Sequence, residues 1–229
     1  RVFSWQAGIE DVHPEFRARS GFIRRVGDTR VDGEAQYTFL NEPGALLEDW
    51  SPLLEFEAYY DHDDFWGGHP YHEAQAELGL DLSLRGANGG RLSVQNGYFA
   101  FDAEDYAGYE VPLPPSQGLG YQPMTTPDPL GSLWGVQLFG RTRPAAWLSI
   151  RGRFNYREVP IHAEGSRGVE LALGPTAEIR FPFGLLADAS FTYSRIDRSD
   201  GGRFSLAQIP RLKVQYQFTP SLFLRSIVQ

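Results

Sequence analysis

The sequence predicts an all-β protein, an antiparallel up-and-down transmembrane β-barrel, on three observations. The first is residues 73–85, EAQAELGLDLSLR. Ala74, Ala76, Leu78, Leu80, Leu82 and Leu84 fall on one face, and Glu73, Gln75, Glu77, Gly79, Asp81, Ser83 and Arg85 on the other. Leucine and alanine are mediocre strand formers, so it is the period-two pattern and not propensity that argues for a strand. A helix would spread the leucines around its circumference. The run outlasts an ordinary soluble strand of about five or six residues, and it exceeds the roughly nine to eleven that a tilted strand needs to cross a bilayer. The second observation is that the alternation recurs along the chain, and the third is that tight turns and long polar loops alternate between its runs, as in outer-membrane barrels.

Each element follows from the same reading. Residues 2–10 set Phe3, Trp5, Ala7 and Ile9 against Ser4, Gln6, Gly8 and Glu10, and an arginine-rich polar loop follows. Residues 30–40 set Val31, Ala35, Tyr37 and Phe39 against Arg30, Asp32, Glu34, Gln36 and Thr38. In the third strand Leu54, Phe56, Ala58 and Tyr60 alternate with Glu55, Glu57, Tyr59 and Asp61. The leucine strand comes next, then a hairpin signal at Ala87-Asn88-Gly89-Gly90. Residues 91–101 are less clean, with Asn96 on the apolar face and Phe99 on the polar one. Residues 102–130 hold Pro112, Pro114, Pro115, Pro123, Pro127 and Pro129, which excludes regular structure on the usual rules. Such a stretch is either a loose surface loop or, in a barrel, one that caps the mouth or constricts the lumen.

The sixth strand covers residues 133–140, with a turn at 141–144. Residues 147–157 set Leu148, Ile150, Phe154 and Tyr156 against Ser149, Arg151, Arg153, Asn155 and Arg157. The eighth strand, residues 167–180, carries Val169, Leu171 and Leu173 and an irregularity at Pro175. In the ninth, Ala187, Ala189, Phe191 and Tyr193 oppose Asp188, Ser190, Thr192 and Ser194; in the tenth, Leu212, Val214, Tyr216 and Phe218 oppose Arg211, Lys213, Gln215 and Gln217. Residues 222–229 form a last segment. Outward aromatics gather near strand ends as two girdles: Tyr37, Phe39, Tyr216 and Phe218 by the short connections, and Tyr60, Phe154, Tyr156 and Tyr193 by the loops. A soluble β-sandwich or a curved periplasmic sheet explains the alternation, but neither the strand length nor the asymmetry of connections. Single-chain bacterial barrels close with an even number of strands, and about eleven are read here. The expectation is therefore one barrel domain over residues 1–229, incomplete at one or both ends and part of a larger barrel.

Composition agrees with this class. The chain has 229 residues, a net charge of −8 and 41% hydrophobic residues, and no apolar run long enough for a membrane helix. A negative mean hydropathy is compatible with a barrel, because every second residue faces the lumen. The 14% aromatic content suits interfacial girdles. There is no cysteine, which rules out a disulfide framework and thiolate chemistry. The acidic balance and the lack of a basic patch argue against nucleic acid. No signal peptide is visible ahead of Arg1, so the chain reads as mature or trimmed, and export follows only from the barrel reading.

Two runs carry a resemblance. Glu15-Phe16-Arg17, followed by Ser20-Gly21-Phe22-Ile23-Arg24-Arg25, and the closing stretch from Tyr216 to Gln229 resemble an uncharacterised family of bacterial outer-membrane proteins. Its members carry a carbohydrate-binding-module-like domain ahead of a large C-terminal barrel. The resemblance implies an outer-membrane barrel of unknown activity; the sugar-binding domain is absent from these residues, so no carbohydrate role carries over. Membrane lipid and lipopolysaccharide are the expected partners, with an envelope protein as a further one.

The charged residues expected to face inward are unevenly distributed. Glu55, Glu57, Glu73, Glu77 and Asp81 form an acidic wall, and Arg151, Arg153, Arg157, Arg211 and Lys213 a basic one. If the sheet closes, a transverse field crosses the lumen and orders water or selects polar solutes. In a narrow barrel the same charges pair and plug it. A second cluster, YYDHDDFWGGHPYH, holds Asp61, His62, Asp63, Asp64, His69 and His72. Asp61, Asp63, Asp64 and His69 are candidate calcium ligands, the only cofactor expectation. They match no standard spacing, and a solvated acidic loop is the simpler account, with Gly67 and Gly68 serving a turn. There is no GxSxG, HExxH or phosphate-binding glycine loop, and His162 with Ser166 is the nearest thing to a catalytic neighbourhood, so no enzyme is expected. Two functions remain: a passage for small polar solutes or ions, and a non-conducting anchor that displays loops or a domain to a protein or glycan.

Overall fold

A computed structural model describes residues 1–17, 25–112 and 119–229. In chain order the strands are β1 (Val2–Asp11), β2 (Asp28–Leu40), β3 (Leu47–Asp61), β4 (Glu73–Leu84), β5 (Asn88–Phe99), β6 (Glu110–Pro112) and β7 (Tyr121–Pro123). They continue as β8 (Leu130–Ala145), β9 (Leu148–Ile161), β10 (Ser166–Leu173), β11 (Thr176–Arg180), β12 (Leu185–Arg198), β13 (Arg203–Thr219) and β14 (Leu222–Val228). Apart from β6 and β7, all belong to one antiparallel sheet in the order β1-β2-β3-β4-β5-β8-β9-β10-β12-β13-β14. The short β11 also pairs with β9 and β12, so it continues the position of β10. The irregularity expected at Pro175 is this break, where the Gly174 N–H bonds the Arg153 carbonyl and the Phe191 N–H bonds that of Pro175. Among the described residues β1 pairs only with β2 and β14 only with β13, so the sheet does not close on itself.

The expected strands are present, and several limits move. The β4–β5 turn is at Gly86-Ala87, both with positive φ, not at Asn88-Gly89-Gly90. Those residues are already strand, and a Cβ on Gly89 or Gly90 would lie 2.5 Å from the Leu82 or the Phe139 carbonyl oxygen. The turn expected at residues 141–144 is likewise strand, because β8 runs on to Ala145 and Ala146-Trp147 makes the turn. As β9 extends to Ile161, Phe154 sits at mid-strand opposite Leu138 and Leu173, not in a girdle. The proline-rich stretch holds more structure than expected: β6 pairs with β7, and residues 104–106 form a 3-10 turn. Residues 62–67 form a short helix, α1 (His62–Gly67), in place of the expected loop; Gly68 at φ 77° ends it. Loops on one side are long only in the first half, since 162–165 and 199–202 are as short as the turns. Residues 18–24 of the family-like run lie outside the described residues.

The sheet buries its polar face and exposes its apolar one. On the polar face Ser93 is 2% exposed, Ser51 3% and Gln95 5%, and Leu53 packs at 2% over Gly79. On the other face Leu54 is 50% exposed, Leu78 64% and Leu138 50%. No second layer covers the middle of the polar face among the described residues, so curvature does the burying: the polar face is concave. Glycines on that face make room for it, since a Cβ on Gly135 would lie 2.7 Å from the Arg157 Cβ and 2.9 Å from the Gln95 Cγ.

Candidate functional site

The antiparallel register lays the inward residues out in rows across the strands. One row runs Gln6, Glu34, Glu55, Glu77, Gln95, Gly135, Arg157 and Glu170. Three carboxylates thus stand directly opposite one another on β2, β3 and β4, an arrangement that repels unless a cation sits beside it. Arg91 on β5 supplies that cation. Its Nε and Nη2 donate to the two Asp81 oxygens at 2.7 and 2.8 Å, and its Nη1 donates to Glu55 at 3.0 Å. Gln36 adds a hydrogen bond to Asp81. A planar guanidinium forking onto one carboxylate and reaching a second holds the acidic strands in register as a lysine cannot.

Two of the remaining acidic residues are paired along the same wall. Glu57 meets Arg30 at 3.4 Å, and Glu73 accepts from Arg25 at 2.8 Å, whose guanidinium also stacks on Tyr59 at 4.3 Å. Glu77 has no ion-pair partner among the described residues. On the basic side Arg157 donates to Glu170 at 2.7 Å, and Ser194 donates to the other Glu170 oxygen. Arg151, Arg153, Arg211 and Lys213 have no acidic partner among the described residues, although Lys213 stands opposite Asp188 in register.

Glu55, Glu77 and Asp81 meet Arg153 in one recess of about 750 Å³ on the concave face, together with Asp49, Arg91 and Arg141. A neighbouring recess of about 420 Å³ shares Phe139 and Arg153 with it and adds Arg151 and Asn155. Acidic and basic side chains therefore do face a common space. Arg211 and Lys213 line neither recess; they lie on β13 toward the open edge. Reading two walls from the sequence missed Arg91, Arg141, Arg25, Arg30 and Glu170. Arg91 and Glu170 carry the inward parity of their strands, and that signal was there to be read.

The loop end is closed by an aromatic cluster. Phe99, which seemed misplaced on the polar face, packs edge-on against Phe101 and His162, at 5.2 and 5.0 Å between ring centres. Phe101 and Tyr106 are buried, and the Tyr106 hydroxyl donates to the His162 carbonyl at 2.7 Å. Burial pushes the Tyr106 phenol upward. The connection after β5 thus reaches past β8 and is pinned to the β9–β10 turn. The next turn along is tied in by Arg198, whose guanidinium bonds Glu164 and holds its carboxyl below the usual range. His162 is committed to this packing.

The candidate calcium ligands do not converge. His62 turns to Asp11 at 2.7 Å, which also accepts from Thr29, and Asp61 lies 3.8 Å from His72. Asp63 and Asp64 occupy the first turn of α1, and the His69 ring lies against Gly67. Among the described residues no three acidic or imidazole side chains come together as a metal site would require.

Aromatic rings line both ends of the exposed face. At the short-turn end Phe39 stacks on Trp50 at 4.0 Å, next to Tyr37 and Phe3, and Trp147, Phe181 and Phe183 form a second stack. At the loop end Tyr60 meets Phe65 and Tyr71, and Tyr71 meets Tyr98. No helix is long and apolar enough to cross a membrane, which says nothing of strands. No family model, no curated protein and no solved structure matches this chain.

Proposed function

We propose that this protein forms the wall of an outer-membrane β-barrel whose concave, charged face lines a passage for small polar solutes or ions. The inverted sheet carries the reading. Water penalises exposed leucine by roughly 25 cal/mol per Å² of apolar surface, and hydrocarbon does not. A closed β-barrel is one of the two backbone arrangements that lipid tolerates, and the edges left open on β1 and β14 are where further strands would complete one. The two aromatic bands support the same orientation, at the depth of the headgroups. So does the resemblance of residues 15–25 and 216–229 to an outer-membrane family. Lipid, with lipopolysaccharide in the outer leaflet, is then the partner of the apolar face.

The recess shared by Glu55, Glu77, Asp81 and Arg153 favours a passage, because opposed fixed charges in a concave space orient polar solutes. Single-channel conductance in a planar bilayer tests it, with an Arg151→Ala, Arg153→Ala double mutant alongside. The expected result is current steps whose selectivity moves toward cations when the two unpaired guanidiniums are removed. A silent protein would sink the passage and leave the second reading, a non-conducting anchor for a protein or glycan partner. The connection pinned through Tyr106 favours that alternative, since its described residues add surface at the loop end.

A further inference from the structure

The recess of about 750 Å³ has the size of a ligand site, and its charges are sorted rather than mixed. Asp49 and Glu77, on β3 and β4, have no cationic partner among the described residues. Arg141 and Arg153, on β8 and β9, have no anionic one. Between them the Arg91–Asp81–Glu55 group, one guanidinium against two carboxylates, is tied together by its own hydrogen bonds and separates the two ends. Register fixes the separation. Asp81, Arg91, Phe139 and Arg153 follow one another across four strands, as do Asp49, Ser83, Gly89 and Arg141 across another four. Three inter-strand steps are about 14 Å along the sheet, and curvature and the inward reach of both side chains shorten the span. The floor is polar and apolar together, with Ser51, Ser93, Gln137 and Phe139.

We propose that this recess binds small zwitterionic solutes of about dipeptide length, the ammonium against Asp49 and the carboxylate against Arg141 and Arg153. The proposal rests on the concave face being a solute passage and names the class of solute it selects. A cation finds half of the site and is repelled by the rest; an anion is in the mirror position. The zwitterion alone satisfies both ends. An exposed ion pair contributes up to about a factor of five, so removing one end should lower the preference for the zwitterion by about that much.

The test uses three solutes of one size: alanylalanine, its cationic amide and its anionic N-acetyl derivative. Their entry into proteoliposomes is followed by swelling, and their binding to the detergent-solubilised protein by equilibrium dialysis. Both are repeated with Arg141→Gln/Arg153→Gln and with Asp49→Asn, substitutions that break no ion pair. The expected result is faster entry and tighter binding of alanylalanine than of either ion, with its preference over the amide lost in Arg141→Gln/Arg153→Gln and its preference over the N-acetyl derivative lost in Asp49→Asn. Equal entry and binding of all three would overturn the proposal and leave the passage standing. Selective binding without entry would overturn the passage and keep the recess. Neither entry nor binding would overturn both.

Discussion

At the scale of single residues the molecule turns on Arg91. Without it Glu34, Glu55, Glu77 and Asp81 crowd the same wall with no counter-charge between them. Its side chain is 37% exposed, so its three charged hydrogen bonds are partly screened. Arg91→Met should destabilise the fold by about 1–2 kcal/mol, within the range for hydrogen bonds to charged groups after screening. Arg91→Lys should recover less than half, because an ammonium cannot fork onto Asp81 while reaching Glu55. The denaturant midpoint in detergent checks both; full recovery by lysine would show that charge alone matters there. Arg91 was legible as an inward residue of its strand, but its partners were not, because they lie on β3 and β4 at a register that only pairing defines.

At the scale of elements the loop end is held by a few specific ties. Glu164, in the β9–β10 turn, holds Arg198 at the end of β12, and that bond lowers the Glu164 pKa from its ordinary 4.5. A lowered carboxyl stabilises where it is ionised. The tie is therefore fully present above about pH 4.5, and is lost as the pH falls through the lowered value. Amide exchange at residues 199–202, corrected for intrinsic rates, should accelerate below that point, and Glu164→Gln should show the fast behaviour at every pH. Identical pH profiles for the two proteins would remove Glu164 from the account. The short helix α1 and the β6–β7 pair belong to this scale too, and neither was legible. Residues 62–67 show no apolar periodicity, and the pairing of β6 with β7 depends on contacts between two separate parts of the proline-rich stretch.

At the scale of the whole molecule the question is what covers the leucine face. Leu78 lies in the middle of β4 and is 64% exposed. In a protein whose apolar face meets water, Leu78→Arg changes stability by no more than about 0.5 kcal/mol. In one whose face meets hydrocarbon, the same charge costs about 2–4 kcal/mol near the midplane. Folding into lipid vesicles, followed by the heat-modifiable shift on electrophoresis, measures the difference, and a cost below 1 kcal/mol would count against the membrane face. Gly79→Ala is the internal control. It points to the concave face and crowds Leu53, which approaches within 3.0 Å of the added Cβ, so its cost does not depend on the surroundings of the outer face.

The sequence by itself determined the class and most of the strands, because alternation with period two is a local property that needs no partner to be read. It also determined which side chains share a face, so many of the charged residues of the concave face were visible before any pairing was known. The tertiary structure decided what those walls do. Register places Arg91 between two carboxylates and pairs Arg157 with Glu170. It leaves Arg141, Arg153, Asp49 and Glu77 without partners around one recess. The curvature of the sheet makes the polar face the buried one. These are relations between residues far apart in the chain, and composition and spacing carry no record of them; the direction in which the sheet bends follows from how its glycines and side chains pack across strands.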